Sequence, residues 1–334
     1  MSTYQSYHQL YPYLPIEAAF FFSEVVNGQF GNRTVFDFCM YYAEKYKSRE
    51  IPQPGPVSAI CDILCQQGQL TLGHRRGLDN TDTSYISVIR DRENVVKNIP
   101  LQLVLNNRLS CLIYGFKYIY ENYGKYVLPV EFTKQNDDIA LGSCFLYRGG
   151  IATARHCIEG AKKIAIRGIT QAQLENAKYQ VHANDAMDLL FIQFDEFQPD
   201  FIHFGEKAEV LDEVIAMGYP RIPGYHNFLT AETATVSARF TASVGQIAAE
   251  AEDFWIKEQL FLITAKIKGG NSGGPIIKKN GTVAGVSVNL AHGDGDYDDL
   301  GYGTVIPVAF LDEMIGLDEK HYLDVRDIIF KDFE

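Results

Sequence analysis

The sequence predicts a mainly helical N-terminal domain followed by a mainly β domain, and three observations support this division. The spacing of apolar residues changes near residue 125, from helical intervals to short runs separated by turn residues. The charge also changes, because residues 1–130 contain 12 basic and 11 acidic residues whereas residues 131–334 contain 18 and 31. A chain of 334 residues is long enough for two domains of ordinary size.

The N-terminal part contains three apolar stretches with helical spacing and then two short strand-like runs. The expected helices cover 16–26, 32–47 and 57–67, and the expected strands cover 69–73 and 85–89. Three helices followed by a two-stranded ribbon is an order that resembles a winged helix. We therefore predict a helical domain over residues 1–105 whose element order is that of a winged helix.

The third predicted helix bears on whether this domain binds DNA. It has no basic residue and contains Asp62, whereas Arg75 and Arg76 fall in the turn between the two strands. Because DNA binding depends on basic residues that neutralise phosphates, a packing or partner-binding domain is favoured. We therefore do not expect DNA binding and keep it as the alternative.

A connecting helix is predicted over residues 106–125, because apolar residues recur there at intervals of three and four and Gly124 fits a helix end. About twelve short strands follow, a number typical of an all-β barrel or sandwich. The predicted strands are 126–132, 139–147, 150–153, 162–167, 179–182, 189–193, 213–218, 231–240, 260–265, 274–278, 283–288 and 303–307. An acidic helical tail is predicted over residues 311–334.

The composition restricts the class of protein. With 46% hydrophobic and 22% charged residues, the chain is neither mainly disordered nor a coiled-coil rod. No apolar run approaches the roughly 20 residues that span a bilayer, and the N-terminal residues lack signal-peptide features. The six cysteines show no disulfide-framework spacing, and Cys61 and Cys65 lack a second ligand pair at zinc spacing. We expect a cytoplasmic protein with reduced thiols, no metal, no cofactor and no membrane partner.

The segment 269–275 contains four glycines and Ser272 within seven residues. Such a segment suits a tight turn that presents a hydroxyl beside free backbone N–H groups, as a nucleophile with an oxyanion hole requires. A phosphate-binding loop would need a helix after it, but both flanks are strand-like. The segment therefore indicates nucleophilic catalysis by Ser272.

A serine nucleophile needs a base, and that base needs an orienting group. His156 follows an apolar strand in Thr-Ala-Arg-His-Cys, and Asp188 opens the apolar run Leu-Leu-Phe-Ile. Each residue alone is more often structural than catalytic. Together with Ser272 they provide the three groups of an acyl-transfer site.

The order His156, Asp188, Ser272 within one β-rich segment resembles the chymotrypsin-like serine peptidases. Thr-Ala-Arg-His-Cys is similar to their histidine motif, and the run after Asp188 is similar to their strand after the aspartate. Gly-Asn-Ser-Gly-Gly-Pro is similar to the serine motif of the bacterial HtrA (Do-like) branch. Gly142-Ser-Cys-Phe and the run 301–307 also resemble that branch.

This resemblance covers residues 126–310 and implies two six-stranded β-barrels with the site between them. It implies that Ser272 attacks the scissile carbonyl, that His156 moves the proton, and that Asp188 stays ionised behind the histidine. By motif position, the N–H groups of Gly270 and Ser272 would form the oxyanion hole. Peptide or protein substrates follow from the same resemblance.

The chain also departs from the family in several ways. It has no Ile-Val-Gly-Gly sequence of the kind that activates zymogens and no match to the usual disulfide partner of Cys157, and we expect no PDZ domain after the peptidase part. Regulation is therefore expected from residues 1–125, through a partner or a trigger.

The resemblance implies a specificity pocket lined just before the serine motif and after the next strand, where Ile267 and Leu290 lie five residues before and eighteen after Ser272. Both are apolar, which favours an apolar residue on the acyl side of the scissile bond. The acidic loop 292–299 lies beside them in sequence and would attract basic residues instead. Its alternating aspartates lack the glycine and glutamate of a calcium loop, so a solvated loop is favoured.

Two other classes of function remain alternatives. One is a DNA- or partner-binding regulator whose peptidase domain is latent, cleaves itself or serves as a scaffold. The other is a binding module with an inactive site, which would need a distorted oxyanion hole because all three catalytic residues are present.

Overall fold

The computed structural model describes residues 6–23, 33–75, 80–88, 98–196, 200–220, 239–254, 256–288 and 302–333. The chain forms two compact units, Met1–Gly115 and Phe116–Glu334. The helix Ile99–Tyr123 is interrupted at Gly115, whose φ of 67° and ψ of −155° are not helical. The predicted connecting helix 106–125 is therefore not one continuous helix, because glycine readily adopts this positive φ. The division between the units falls inside it rather than at residue 105.

The first unit is built from helices and one β-ribbon. Its elements are α1 (Tyr7–Leu10), α2 (Leu14–Phe21), α3 (Val35–Tyr46), α4 (Pro54–Gln66), β1 (Leu70–His74), β2 (Ser84–Ser87) and the part of α5 (Ile99–Tyr123) up to Gly115. Helix α3 begins with a capping box, in which Thr34 and Asp37 bind each other's backbone N–H groups. Helix α4 begins with Pro54, which needs no hydrogen-bond acceptor in the first turn.

Helix α2 lies at the centre of the first unit. All eight of its residues are buried, because its sequence is apolar on every side except for Glu17. Glu17 accepts hydrogen bonds from Lys45 Nζ at 2.7 Å, Tyr46 OH at 2.7 Å and Tyr41 OH at 3.0 Å. These three donors on α3 satisfy the buried carboxylate and join the two helices.

The predicted order of three helices and a ribbon is present as α2, α3, α4, β1 and β2. Its resemblance to a winged helix stays a prediction. Arg75 donates to both carboxylate oxygens of Asp62 on α4, at 2.8 and 2.7 Å. Arg75 is therefore already paired with an acidic group, which weakens its case as a phosphate contact. Arg76 lies outside the described residues.

The second unit begins with an eight-stranded sheet whose edge strands are β15 (His321–Tyr322) and β16 (Ile329–Phe330), and its strand order is β15-β7-β8-β5-β4-β3-β6-β16. Its central strands are β3 (Val127–Thr133), β4 (Ile139–Tyr147), β5 (Gly150–Thr153), β6 (Lys163–Ile166), β7 (Lys178–Val181) and β8 (Leu190–Gln193). Between β6 and β7 the chain forms the short helix α6 (Gln171–Glu175). We call these strands, with the two at the edges, the first sheet.

The second sheet of this unit is a closed six-stranded barrel in the order β10-β11-β14-β13-β12-β9. Its strands are β9 (Glu213–Gly218), β10 (Thr241–Glu252), β11 (Gln259–Ile263), β12 (Pro275–Lys278), β13 (Val283–Val288) and β14 (Gly303–Pro307). The strand predicted over 231–240 is wrong in its described part, because β10 begins at Thr241. Residues 231–238 lie outside the described residues.

The C-terminal segment differs from the predicted helical tail over 311–334. Helix α7 covers Val308–Gly316, and two short strands follow, β15 (His321–Tyr322) and β16 (Ile329–Phe330). Strand β15 pairs with β7, and β16 pairs with β6. Each strand has only two residues, which is too short to show a period in the sequence. The segment therefore occupies both edges of the first sheet, which has eight strands instead of the six expected.

Among the described residues, no helix combines the length and the apolar character needed to cross a bilayer.

Candidate active site

His156 and Asp188 lie just beyond the adjacent ends of two neighbouring strands of the first sheet. His156 is in the 3-10 turn Arg155–Cys157 after β5, and Asp188 lies just before β8. Strands β5 and β8 are antiparallel, with Thr153 opposite Leu190, so the end of one strand meets the start of the other. The fold thus brings together two residues that are 32 positions apart in the sequence.

The Asp188 carboxylate holds His156 at two points. Asp188 Oδ2 lies 2.6 Å from His156 Nδ1, and Asp188 Oδ1 accepts from the His156 backbone N–H at 2.9 Å. A proton on Nδ1 leaves Nε2 of the neutral imidazole as a hydrogen-bond acceptor. The Asp188 side chain is 15% exposed and that of His156 is 44% exposed, so the carboxylate is covered while the imidazole is accessible.

The environment of His156 favours its charged form. Burial lowers its pKa, but the hydrogen bond from His156 to Asp188 and the neighbouring Cys157 raise it by more, so the pKa is above the ordinary value of 6.5. The increase in pKa caused by Asp188 agrees with the distance of 2.6 Å between His156 Nδ1 and Asp188 Oδ2. An imidazole in this setting is a stronger base than a free one.

Ser272 lies in the turn between β11 and β12 of the barrel, and this turn requires its glycines. Gly270 and Gly273 have φ of +101° and +84°, in the region that favours glycine. A Cβ on Gly273 would lie 2.1 Å from the Ser143 carbonyl oxygen, and one on Gly274 would lie 2.3 Å from the Met217 carbonyl oxygen. The glycines of the motif thus allow the backbone of this turn to approach its neighbours closely.

The Ser272 turn is joined to the segment that contains His156. The Ser272 carbonyl accepts from the Ser143 backbone N–H at 2.8 Å and from Cys157 Sγ at 3.8 Å. Cys157 directly follows His156 in the chain. No hydrogen bond joins the Ser272 hydroxyl to His156, although both residues are among those described. Such contacts are often long without substrate and shorten in the reacting complex.

The two N–H groups predicted for an oxyanion hole have no acceptor within the described part of the chain. The N–H groups of Asn271, Gly273 and Gly274, in contrast, donate to carbonyls at 2.7–2.9 Å. The Asn271 carbonyl accepts from Ser287 Oγ at 2.6 Å. Because the N–H and C=O of a trans peptide point in opposite directions, this contact directs the Ser272 N–H away from Ser287.

The predicted pocket residues are only partly described. Ile267 is half-buried and packs against the barrel core, and a Cβ on Gly303 of β14 would lie 2.5 Å from its Cδ1. Leu290 and the acidic loop 292–299 lie outside the described residues. The residues that are described contain no cluster of three or more metal-ligating side chains.

Two buried serines that contact the Ser272 turn, Ser143 and Ser287, were not predicted as site residues. Ser143 belongs to the Gly-Ser pair whose resemblance to the HtrA branch is visible in the sequence. That resemblance is the only sequence signal for its position, because a serine within an apolar strand does not by itself indicate a functional role. Ser287 has no comparable signal.

Residues 142–286 match the family model described as trypsin-like peptidase domain. The chain is 30% identical over 177 residues to a probable periplasmic serine endoprotease DegP-like of Chlamydia trachomatis serovar D, covering 52% of this chain and 32% of the relative. It is 25% identical over 180 residues to the magnetosome formation protease MamE of Paramagnetospirillum magneticum, covering 51% and 22%. The chain thus matches about a third or less of each of these relatives.

Two solved protease structures are also similar to this chain. The active form of the Rv3671c protease of M. tuberculosis is 18% identical, with a TM-score of 0.45, and the match covers 62% of this chain and 86% of that one. The HtrA-type protease AlgW with a tripeptide is 20% identical, with a TM-score of 0.43 and coverages of 59% and 60%. The family match over 142–286 confirms the predicted fold class.

Proposed function

Because residues 142–286 match the family model described as trypsin-like peptidase domain, we propose that the chain is a serine endopeptidase that hydrolyses peptide bonds. Proteins or peptides are the substrates that this family implies. The single observation that most supports the proposal is the double contact between His156 and Asp188, at 2.6 and 2.9 Å, beside an anchored Ser272 turn. An orienting carboxylate and an accessible imidazole are what a serine nucleophile needs.

In the first step, Ser272 Oγ attacks the carbonyl carbon of the scissile bond and His156 Nε2 takes the hydroxyl proton. Asp188 remains ionised and stabilises the imidazolium that forms. The negative charge on the carbonyl oxygen is stabilised by the N–H groups of Gly270 and Ser272. Their lack of acceptors in the described part of the chain supports this role.

In the second half of the first step, His156 gives its proton to the leaving amine and the acyl group stays on Ser272. Water then enters, His156 takes a proton from it, and the resulting hydroxide attacks the acyl carbon. The ester bond to Ser272 breaks, the proton returns to Ser272 Oγ, and the carboxylic acid product leaves. The proposal requires no metal ion or organic cofactor.

Hydrolysis of a denatured protein such as casein tests this function. The wild-type chain should generate new N-termini, and Ser272→Ala should generate none. Equal cleavage by Ser272→Ala would assign the activity to a contaminant, and no cleavage by the wild type would contradict a constitutively active peptidase.

We propose that the acyl-side pocket prefers apolar residues, through Ile267 and Leu290. The packing of Ile267 against Gly303 on the barrel supports an apolar wall. Sequencing the ends of the casein fragments measures the preference. Enrichment of apolar residues before the cut agrees with this pocket, and enrichment of Lys or Arg would instead assign specificity to the acidic loop 292–299.

We propose that residues 1–115 regulate the peptidase unit, since they form a separate compact unit with their own hydrophobic core. A site for a specific protease, inserted after Gly115, allows the connection to be cut in the assembled protein. We expect the rate of labelling by a fluorophosphonate probe to change on cutting. An unchanged rate would show that the first unit does not control the site.

We propose a reducing compartment such as the cytoplasm, because all six cysteines are free thiols and five are buried. Burial raises the pKa of the Cys61 and Cys144 thiols well above the ordinary value, which makes them poor at forming disulfides. Alkylation under denaturing, non-reducing conditions should modify all six. An internal disulfide in protein isolated from its native cells would contradict this compartment.

A further inference from the structure

Ser143 on β4 is fully buried, and its four hydrogen-bonding functions are all used. Its N–H donates to the Ser272 carbonyl at 2.8 Å, and its Oγ donates to the Gly270 carbonyl at 2.7 Å. The same Oγ accepts from the Tyr219 N–H at 2.9 Å, and its carbonyl accepts from Thr153 Oγ1 at 2.8 Å. Three of the four contacts thus reach the barrel, and one stays within the first sheet.

Ser287 on β13 holds the same turn from within the barrel. Its Oγ donates to the Asn271 carbonyl at 2.6 Å and to the Gly274 carbonyl at 3.1 Å. Ser143 and Ser287 together therefore bind three successive carbonyls of the turn, at positions 270, 271 and 272. Each bound carbonyl fixes the N–H of its own peptide, and for the Asn271 carbonyl this is the N–H of Ser272.

Gly270 is the point in this turn that most needs an external contact. It has no side chain to limit its rotation, its φ is +101°, and Gly269 precedes it. Two contacts hold the peptide between Gly270 and Asn271: its N–H donates to the Lys268 carbonyl within the same loop at 2.9 Å, and its carbonyl is bound from outside the loop. The Ser143 hydroxyl is the side-chain donor that binds this carbonyl.

We propose that Ser143 is a positioning residue that holds the Ser272 turn in the form that stabilises the transition state. This inference rests on the proposed peptidase function. Residue Cys144, next to Ser143, pairs with Thr153 on β5, three residues before His156. Ser143 therefore fixes the turn relative to the strand that leads to the imidazole, without contacting the substrate itself.

The test is Ser143→Ala, which keeps the backbone contact to Ser272 but removes the hydroxyl contacts to Gly270 and Tyr219. We expect kcat on a peptide substrate to fall about tenfold to hundredfold, below the effect of losing an oxyanion donor outright. The value of KM should stay within about threefold, because ground-state binding does not use the hydroxyl. The affinity for a peptide boronic acid, which mimics the tetrahedral state, should fall by the same factor as kcat/KM.

The matched control is Thr282→Val in the turn before β13. Thr282 is also buried, and its hydroxyl donates to Asn280 Oδ1 at 2.6 Å, but it does not contact the Ser272 turn. This variant should lose stability while keeping kcat. An equal loss of kcat in both variants would mean that Ser143 has only a structural role. If Ser143→Ala keeps the kcat and the boronate affinity of the wild type, Ser143 likewise has no positioning role.

A second measurement separates failure of this inference from failure of the proposed function. Amide hydrogen exchange across residues 269–275 needs no catalytic activity. If the wild type proves inactive, Ser143→Ala should still exchange faster in this turn than the wild type and Thr282→Val do. Unchanged exchange in the turn would overturn the role of Ser143.

Discussion

The first sheet and the closed barrel hold their parts of the candidate site in different ways. In the first sheet, one carboxylate fixes the histidine through side-chain and backbone contacts, at 2.6 and 2.9 Å. In the barrel, Ser272 lies on a glycine-rich turn whose carbonyls are bound by serines. The first part therefore depends on one charged group, and the second depends on backbone conformation. Substitutions in the two parts should therefore lower the activity for different physical reasons.

The largest expected effect is in the first sheet, from Asp188→Asn. An amide still fits beside the imidazole but no longer favours the proton on Nδ1 or stabilises the imidazolium. We expect kcat to fall about 10⁴-fold, as measured by hydrolysis of a peptide substrate, with little change in the melting temperature. Retention of more than about a tenth of the activity would show that the Asp188 contact does not orient the base.

The next effect is in the barrel, from Gly273→Ala. The new Cβ would lie 2.1 Å from the Ser143 carbonyl oxygen and 2.3 Å from Thr153 Oγ1, at a positive φ. The turn must shift, so we expect kcat to fall about 10²-fold or more, together with a lower melting temperature. Hydrolysis of a peptide substrate measures kcat, and thermal melts measure the melting temperature.

Gly168→Ala is the control for this prediction. Gly168 also has a positive φ, of +80°, but has no neighbour within 4 Å of the new Cβ. It should cost about 1 kcal/mol of stability for the left-handed conformation and leave kcat unchanged. If both alanine variants have the same kcat, the close approach of the Ser272 turn to the Ser143 carbonyl is not needed for catalysis.

A smaller effect is expected at the edge of the first sheet, from Phe330→Ala. Phe330 on β16 is 6% exposed and stacks on Tyr179 with ring centroids 5.6 Å apart. Its removal should lower the free energy of unfolding by about 3 kcal/mol. Ile329→Ala, at a neighbouring position that is 55% exposed, should lower it by much less. Equal melting temperatures for the two variants would show that the C-terminal segment does not stabilise the sheet.

The smallest effect concerns the pH dependence set by the first sheet. The pKa of His156 is raised, so the imidazolium persists to higher pH than for a free histidine, and the basic form is lost sooner as the pH falls. The acid limb of kcat/KM should therefore have its midpoint above pH 6.5, the ordinary value. A midpoint below 6.5 would mean that burial, rather than Asp188, dominates at His156.

Much of the second unit could be predicted from its sequence. Strands β4, β5, β9 and β13 have the predicted bounds, because each is an apolar run limited by turn residues. Strand β10 begins after the end of the strand predicted over 231–240. Its Ala and Glu residues favour a helix, and only pairing with β9 and β11 makes this segment a strand. Strands β15 and β16 depend on partners far away in the chain.

The candidate site shows the same contrast. His156, Asp188 and Ser272 could be proposed from motifs, because catalysis restricts the residue types and their neighbours. The contacts of Ser143 could not, because they join residues as far apart as Ser143 and Ser272, which are 129 positions apart. A buried serine in a strand gives no sign of the carbonyl that it will bind.

The most direct test of the account is to identify the residue modified by a fluorophosphonate probe. Mass spectrometry of the labelled wild-type chain should find the adduct on Ser272, and His156→Ala should form it far more slowly although Ser272 is intact. No adduct on the wild type, an adduct on another residue, or equal labelling of His156→Ala would contradict the assignment of Ser272 as a nucleophile activated by His156.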